Sequence, residues 1–329
     1  MSAWNKEISP FHPGEQKLQA RVGKREQMEQ LGRRVIRSFL PQQHRRFYAE
    51  LPYLFLGGVD AEDRPWATLL TGEPGFVHAP SDTRLRITHG AGSGHPLSNS
   101  FKEGKAVGLL GLNLANRRRN RVNGRITRVV TGDSDSEEFF ELQVDQSFGN
   151  CPKYIRTREI KPGGAAPDRK LESPGKVENG NELNHTARKL IAEAETFFIA
   201  TVNPLSGVTA GVDVSHRGGR PGFVRVEDNR VLRFPDFSGN GHFNTFGNLE
   251  LCDRAGILFV DFEKGHLLHL TGRAYVQWGG KDVAGYAGAE RLVRFELEHY
   301  QFRERALPFR FCAGNTSPFL DSTGVWENQ

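Results

Sequence analysis

The chain has 329 residues, 37% hydrophobic and 25% charged, with a formal net charge of +5. That length accommodates two domains, each able to bury a core of its own. A mean hydropathy of −0.53, no long apolar run and no apolar leader after Met1-Ser2-Ala3-Trp4 argue against a membrane partner and make the cytoplasm the expected compartment.

Residues 14–39 carry Leu18, Val22, Met28, Leu31, Val35 and Ile36 at spacings near three and four, the mark of an amphipathic helix with a break expected at Gly23. Pro41 opens another short helix over Gln42–Leu51, and Pro52 closes it. Strand phrases follow at 54–59, 66–71, 75–79, 84–88, 106–112, 121–130 and 139–144, punctuated by glycine, proline and aspartate. Residues 161–184 hold almost no apolar side chains, cannot offset their ordering entropy by burial, and read as a linker. His185–Glu195 restarts a helix with Asn184 as its cap.

The second half restates the first. Gly108 and Gly256 are 148 residues apart, as are Gly124 and Gly272, while Gly75-Phe76-Val77 returns 147 residues later as Gly222-Phe223-Val224. A two-copy repeat of this length means two homologous domains, not a solenoid. Short antiparallel strands in each copy suit a small closed barrel, which removes exposed edges. The expected divisions are an N-terminal helical segment (1–52), a first barrel (53–160), a linker (161–184), a second barrel (185–302) and a C-terminal tail (303–329). Two fused copies form a pseudo-dimer, and a ligand belongs where they meet.

Familiar catalytic motifs are absent, so no catalytic residue is named. Gly90-Ala91-Gly92-Ser93-Gly94 lacks the spacing of a dinucleotide fingerprint and reads as a loop. Cys151, Cys252 and Cys312 are too scattered for a disulfide framework or thiolate metal site, and His266 and His269 would point to opposite faces of a strand; no metal is expected. The run Arg117-Arg118-Arg119-Asn120-Arg121 would attract a polyanion, but between two strand phrases it suits a hairpin tip or an anionic cofactor, and nucleic acid is not expected as a partner.

The second copy adds polar turns at 213–219 and 234–244. Glycines 239 and 241 let backbone N–H groups face an anion, and Ser215, Ser238, Asn240, Arg217 and His242 add side-chain donors. Two solvated polar turns are the alternative.

These phrases resemble the FMN-binding split-barrel proteins related to pyridoxamine 5′-phosphate oxidase. Val214-Ser215-His216-Arg217-Gly218-Gly219, Pro221-Gly222-Phe223-Val224, the stretch Leu232–His242, Asn248, Gly256–Phe259 and Gly272-Arg273 carry the likeness in the second copy. Gly108–Gly111, Arg121–Arg125 and Gly149-Asn150-Cys151-Pro152-Lys153-Tyr154-Ile155 carry it in the first.

The resemblance implies a mainly β chain with flanking helices, built from two tandem antiparallel split barrels as a pseudo-dimer, and it implies FMN. Phosphate-side contacts would come from Ser215, His216, Arg217, Asn240, His242 and Asn244. Ring-side contacts would come from Val214, Pro235 and Asp236, with Arg121 or Lys153 crossing from the first barrel. His242 stands where an arginine is common, which removes a fixed fork of donors. The C-terminal tail lacks the family's vitamin-closing phrase. The implied activity is therefore a flavin-dependent oxidoreductase acting on a small-molecule substrate or electron acceptor, with a free nicotinamide cofactor or a separate reductase as electron source. A haem-binding or haem-degrading split barrel and a non-catalytic flavin-binding module are the alternatives, and pairing of two chains into a homodimer is left open.

Overall fold

The computed structural model describes residues 3–89, 94–132, 138–149, 151–161 and 175–326. Residues 90–93 of the glycine-rich loop and most of the 161–184 stretch therefore lie outside the described residues. Two helices open the chain, α1 (Pro13–Arg21) and α2 (Arg25–Val35), separated at Gly23, whose φ of +70° suits a residue without Cβ. A capping box starts α1: His12 Nδ1 accepts from the Gly14 N–H, and the Glu15 carboxylate accepts from the His12 N–H. After Pro41 comes α3 (Gln42–Ala49).

The first sheet consists of β1 (Tyr53–Val59), β2 (Pro65–Thr71), β3 (Val77–His78), β4 (Arg84–Thr88), β5 (Ala106–Asn113), β6 (Arg118–Val130) and β7 (Phe139–Gly149), in the order β2-β1-β5-β6-β7-β4-β3. Then come β8 (Arg158–Ile160), β9 (Val177–Gly180) and α4 (His185–Glu193), which Asn184 caps by accepting from the Ala187 N–H at 2.8 Å. The second sheet contains β10 (Thr196–Asn203), β11 (Gly211–Gly218), β12 (Arg225–Val226) and β13 (Val231–Phe237). It continues after α5 (Asn244–Leu249) with β14 (Arg254–Val260), β15 (Leu267–Gln277), α6 (Lys281–Gly285) and β16 (Ala289–Arg303). Its order, β11-β10-β14-β15-β16-β13-β12, repeats the first strand for strand. Even the bulge recurs, between Asn123 and Gly124 in β6 and between Thr271 and Gly272 in β15.

The chain is thus mainly β, two tandem antiparallel split barrels packed as a pseudo-dimer. The expected closed barrel is not formed: among the described residues each hydrogen-bonded path ends at its second and third strands in chain order. Residues 177–180, inside the stretch read as a linker, pair with β16 as an added edge strand. The tail returns to the body as β17 (Phe311–Ala313), paired with β8.

Alternation along the strands builds three cores. Leu54, Leu56, Leu109, Val122 and Phe140 fill the first barrel, and Phe197, Ile199, Phe234, Ile257 and Phe295 fill the second. The opposite faces of β1, β5, β10 and β14 form a third core between the barrels, where the Phe55 and Phe198 rings stack at 3.6 Å. Burial on both faces explains why these strands read as unbroken apolar runs. One repeated glycine pair, Gly108 and Gly256, sits at this seam. A Cβ on Gly108 would lie 2.6 Å from the Val212 carbonyl oxygen, and one on Gly256 would lie 2.4 Å from that of Pro65.

Candidate functional site

A cavity of about 350 Å³ opens at one end of the seam. The second barrel contributes Ser215, His216 and Arg217 from β11, Pro235 and Asp236 from β13, and the turn 238–241. The first contributes Arg119 and Arg121 from β6, where strand alternation puts both on one face, and Cys151, Lys153 and Tyr154 from the segment after β7. Phe243, Phe246 and Trp278 supply aromatic wall, and the α1–α2 turn brings Val22 and Lys24 to the edge. Close approach of the two copies is required here: a Cβ on Gly218 would lie 2.0 Å from the Tyr154 carbonyl oxygen.

The cations are held in two different ways. Arg121 spans the seam, donating from Nη1 to Asp213 Oδ2 at 2.9 Å and from Nη2 to Ser215 Oγ, with both charged side chains almost wholly buried. Asp236 accepts from Arg217 Nη1 and, at 2.8 Å, from Arg291 Nε, while Arg291 also pairs with Glu290. The guanidiniums of Arg217 and Arg291 lie 4.8 Å and 5.4 Å from the Phe246 ring centroid. Arg119 and Lys153 differ, for neither has a carboxylate partner among the described residues. Arg119 donates to the Cys151 carbonyl, and its Nε lacks a partner. Burial, reinforced by the charges of Arg121 and Arg217, lowers its pKa to about 9. A half-buried cation with a buried, open donor fits an anion.

His216 is neutral, because burial and then the neighbouring Arg119, Arg217 and Arg158 drive its pKa well below the usual imidazole value; its Nε2 pairs with Thr196 Oγ1. In the turn, Gly241 has φ +76° and Phe243 φ +63°, and Asn240 Oδ1 accepts from the His242 N–H at 3.1 Å, an Asx turn. Asn244 donates to Glu15, whose carboxyl is pushed up to about 8 by burial. The N-terminal helices are thereby tied to the wall of the cavity.

Residues 40–172 match the family model described as pyridoxamine 5′-phosphate oxidase. The first barrel is thus similar to the pyridoxamine 5′-phosphate oxidase-related split-barrel family. The match falls on the first barrel, whose phrases are the looser of the two copies, while the polar turns are on the second. Three solved structures each align with 37–40% of the chain. A putative pyridoxamine 5′-phosphate oxidase from Lactobacillus delbrueckii shares 16% identity over 38% of this chain and 98% of its own, at a TM-score of 0.30. The heme storage protein HutZ from Vibrio cholerae shares 15% over 37% and 95%, at 0.27. An FMN-binding protein from Syntrophomonas wolfei shares 10% over 40% and 95%, at 0.26. No curated protein matches the chain.

Of the residues singled out from the sequence, this split-barrel pair gathers Ser215, His216, Arg217, Pro235, Asp236, Asn240, Asn244, Arg121 and Lys153 around the cavity. Val214 points instead into the core between the barrels. His242 also lies off the cavity wall, its ring 5.4 Å from that of Phe11 and 5.6 Å from that of Phe148. Burial and then Arg121 lower its pKa to about 4, so it is a neutral packing residue. Sequence reasoning missed Arg119, Arg291, Tyr154 and the aromatic wall. Period-two alternation within the basic run pairs Arg119 with Arg121, and that signal was available. Arg291 had none: only the ladder of β13 with β16 sets it opposite Asp236.

Proposed function

We propose that this cavity binds FMN and that the protein is a flavin-dependent oxidoreductase of the split-barrel family. The observation that carries the reading is the donor set. Two cations of the first barrel without carboxylate partners among the described residues, Arg119 and Lys153, line the cavity with the glycine turn, Ser215 and Arg217, with aromatic side chains alongside. A phosphate monoester carries about −1.5 to −2 charges near neutrality, which that pair can balance. The volume of about 350 Å³ falls within the range of about 300–1,000 Å³ usual for small-molecule sites.

Bound flavin would supply the electron chemistry. The chain's own part is to fix it. Ser215 and Arg217 hold the phosphate side, Arg121 and Asp213 lock the seam, and Phe243, Phe246 and Trp278 exclude water from the apolar portion. Haem has less support, because the one histidine on the cavity wall, His216, has its Nε2 turned to Thr196 Oγ1. An absorption spectrum of the protein loaded with FMN and desalted tests the proposal. Retained flavin bands with quenched fluorescence are expected; a protein that loses all flavin on desalting, or that takes up haem instead, overturns it.

A further inference from the structure

Because the chain is a tandem repeat, the cavity has a second address related by the pseudo-twofold, and the ladders fix it residue by residue. Gly57 opposite Gly108 corresponds to Ala200 opposite Gly256. On that frame Thr68 stands where Ser215 stands, Leu70 where Arg217 stands, and His269 and Leu267 where Arg121 and Arg119 stand. Ile87 opposite Phe140 corresponds to Phe234 opposite Val293, which puts His89 and Glu138 in the places of Asp236 and Arg291.

Polar pairing survives in outline. Thr68 Oγ1 lies 3.1 Å from His269 Nε2, where Ser215 meets Arg121, and His89 Nδ1 lies 3.9 Å from Glu138, where Asp236 meets Arg291. At those four places positive charge does not survive, although Arg303, opposite Leu267, lies close enough to act on His95 and His269. Two arginines have become leucine, one has become glutamate, and one has become a histidine that burial keeps well below its usual pKa.

The space is also filled. The segment after the first barrel's β4 corresponds to the glycine turn after β13, but its described residues pack inward. Leu97 is buried, close enough to Gly58 that a Cβ there would meet it at 3.0 Å. Phe101 stacks on Phe140 at 4.6 Å and lies 5.3 Å from the His89 ring. His95 is 3% exposed and 5.9 Å from Phe101, with its Nδ1 accepting from the Leu97 N–H at 3.1 Å.

We infer that the pseudo-dimer is single-sited: its twofold-related position is occupied by the chain's own residues 94–101 and takes no anionic ligand. The flavin reading above enters only through the choice of probe. Calorimetric titration of the full chain with FMN should give one site. Arg217→Leu, which installs the first barrel's residue in the second, should weaken that site tenfold or more and reveal no other; Asn240→Ala serves if circular dichroism shows that Arg217→Leu does not fold. Two sites in the wild type, or a full-strength site surviving in both variants, would overturn the inference. Should FMN not bind at all, the flavin reading falls, and amide exchange decides this one separately. Slow exchange at Leu97, Ser98 and Ser100, whose N–H groups are bonded to His95 Nδ1, His95 O and Leu97 O, sustains a filled site, and exchange at unprotected rates refutes it.

Discussion

Replacing Arg121 by methionine probes the ion pair that joins the barrels. Arg121 and Asp213 are 4% and 3% exposed, and their contact is 2.9 Å. Burial lowers the pKa of Arg121 and raises that of Asp213, with each partner's charge opposing the shift without cancelling it. Such a pair adds less to stability than its geometry suggests, yet halving it is costly, because the surviving carboxylate has lost both its partner and water. Asp213 would keep one donor, the Thr201 hydroxyl at 3.0 Å. The expected loss is about 3–5 kcal/mol. At about 2–4 °C per kcal/mol, that lowers Tm by about 6–20 °C. Adding Asp213→Asn should restore most of the loss, since a carboxamide keeps the Thr201 bond without a buried charge. Thermal and urea unfolding of both single variants and the double variant give the coupling. A cost below about 1 kcal/mol for Arg121→Met, the range of exposed pairs, or a double variant less stable than Arg121→Met, would refute the reasoning.

Arg217→Ala should weaken FMN binding by about tenfold or more, from the loss of a charge-assisted bond worth about 1–3 kcal/mol, while Thr71→Ala leaves it unchanged; fluorescence titration of both variants measures this. Glu15 has its pKa raised from 4.5 to about 8, by burial first and then opposed by the His12 N–H, Asn244 and the Arg121 charge, with Asp213 adding to the rise. The folded state therefore holds that proton more tightly than the unfolded chain, and its contribution to stability is complete below about pH 4.5 and fades as pH climbs through about 8. Urea midpoints at pH 6 and pH 9 should diverge for the wild type and converge for Glu15→Gln. Gly256→Ala drives a Cβ against the Pro65 carbonyl oxygen, 2.4 Å away, and the Trp66 Cα, 2.5 Å away; an overpacking cost of about 1–3 kcal/mol is expected by thermal melting.

Much of the architecture was legible because it is local and stated twice. The expected strand at 84–88 is β4 to the residue, and those at 54–59, 66–71 and 106–112 agree with β1, β2 and β5 within one residue at each end. The helix break at Gly23 and the Asn184 cap follow from backbone chemistry that involves only neighbours. The 147-residue offset of Gly75-Phe76-Val77 carries Thr71 onto Gly218 and Leu70 onto Arg217. The ladders pair Tyr53 with Thr71 and Thr196 with Gly218, so that Thr71 corresponds to Gly218 and Leu70 to Arg217. A shift of one residue would have reversed the face of the strand.

The site divides in the same way. The sequence by itself determined the repeat, the strand periodicity, the excess of donors and glycines in the second copy, and the family resemblance, all of which depend on residue type and short-range spacing. Only the tertiary structure decided which of those donors share a cavity. His242 looks like one more anion donor along the chain, yet it turns between Phe11 and Phe148, because the N-terminal helices cover that side of the turn. Arg291 looks like one more charge on an alternating strand, yet it meets Asp236 across a ladder 55 residues long in sequence. Charge pairing and desolvation depend on distances between segments remote in sequence, and those are set when the barrels pack.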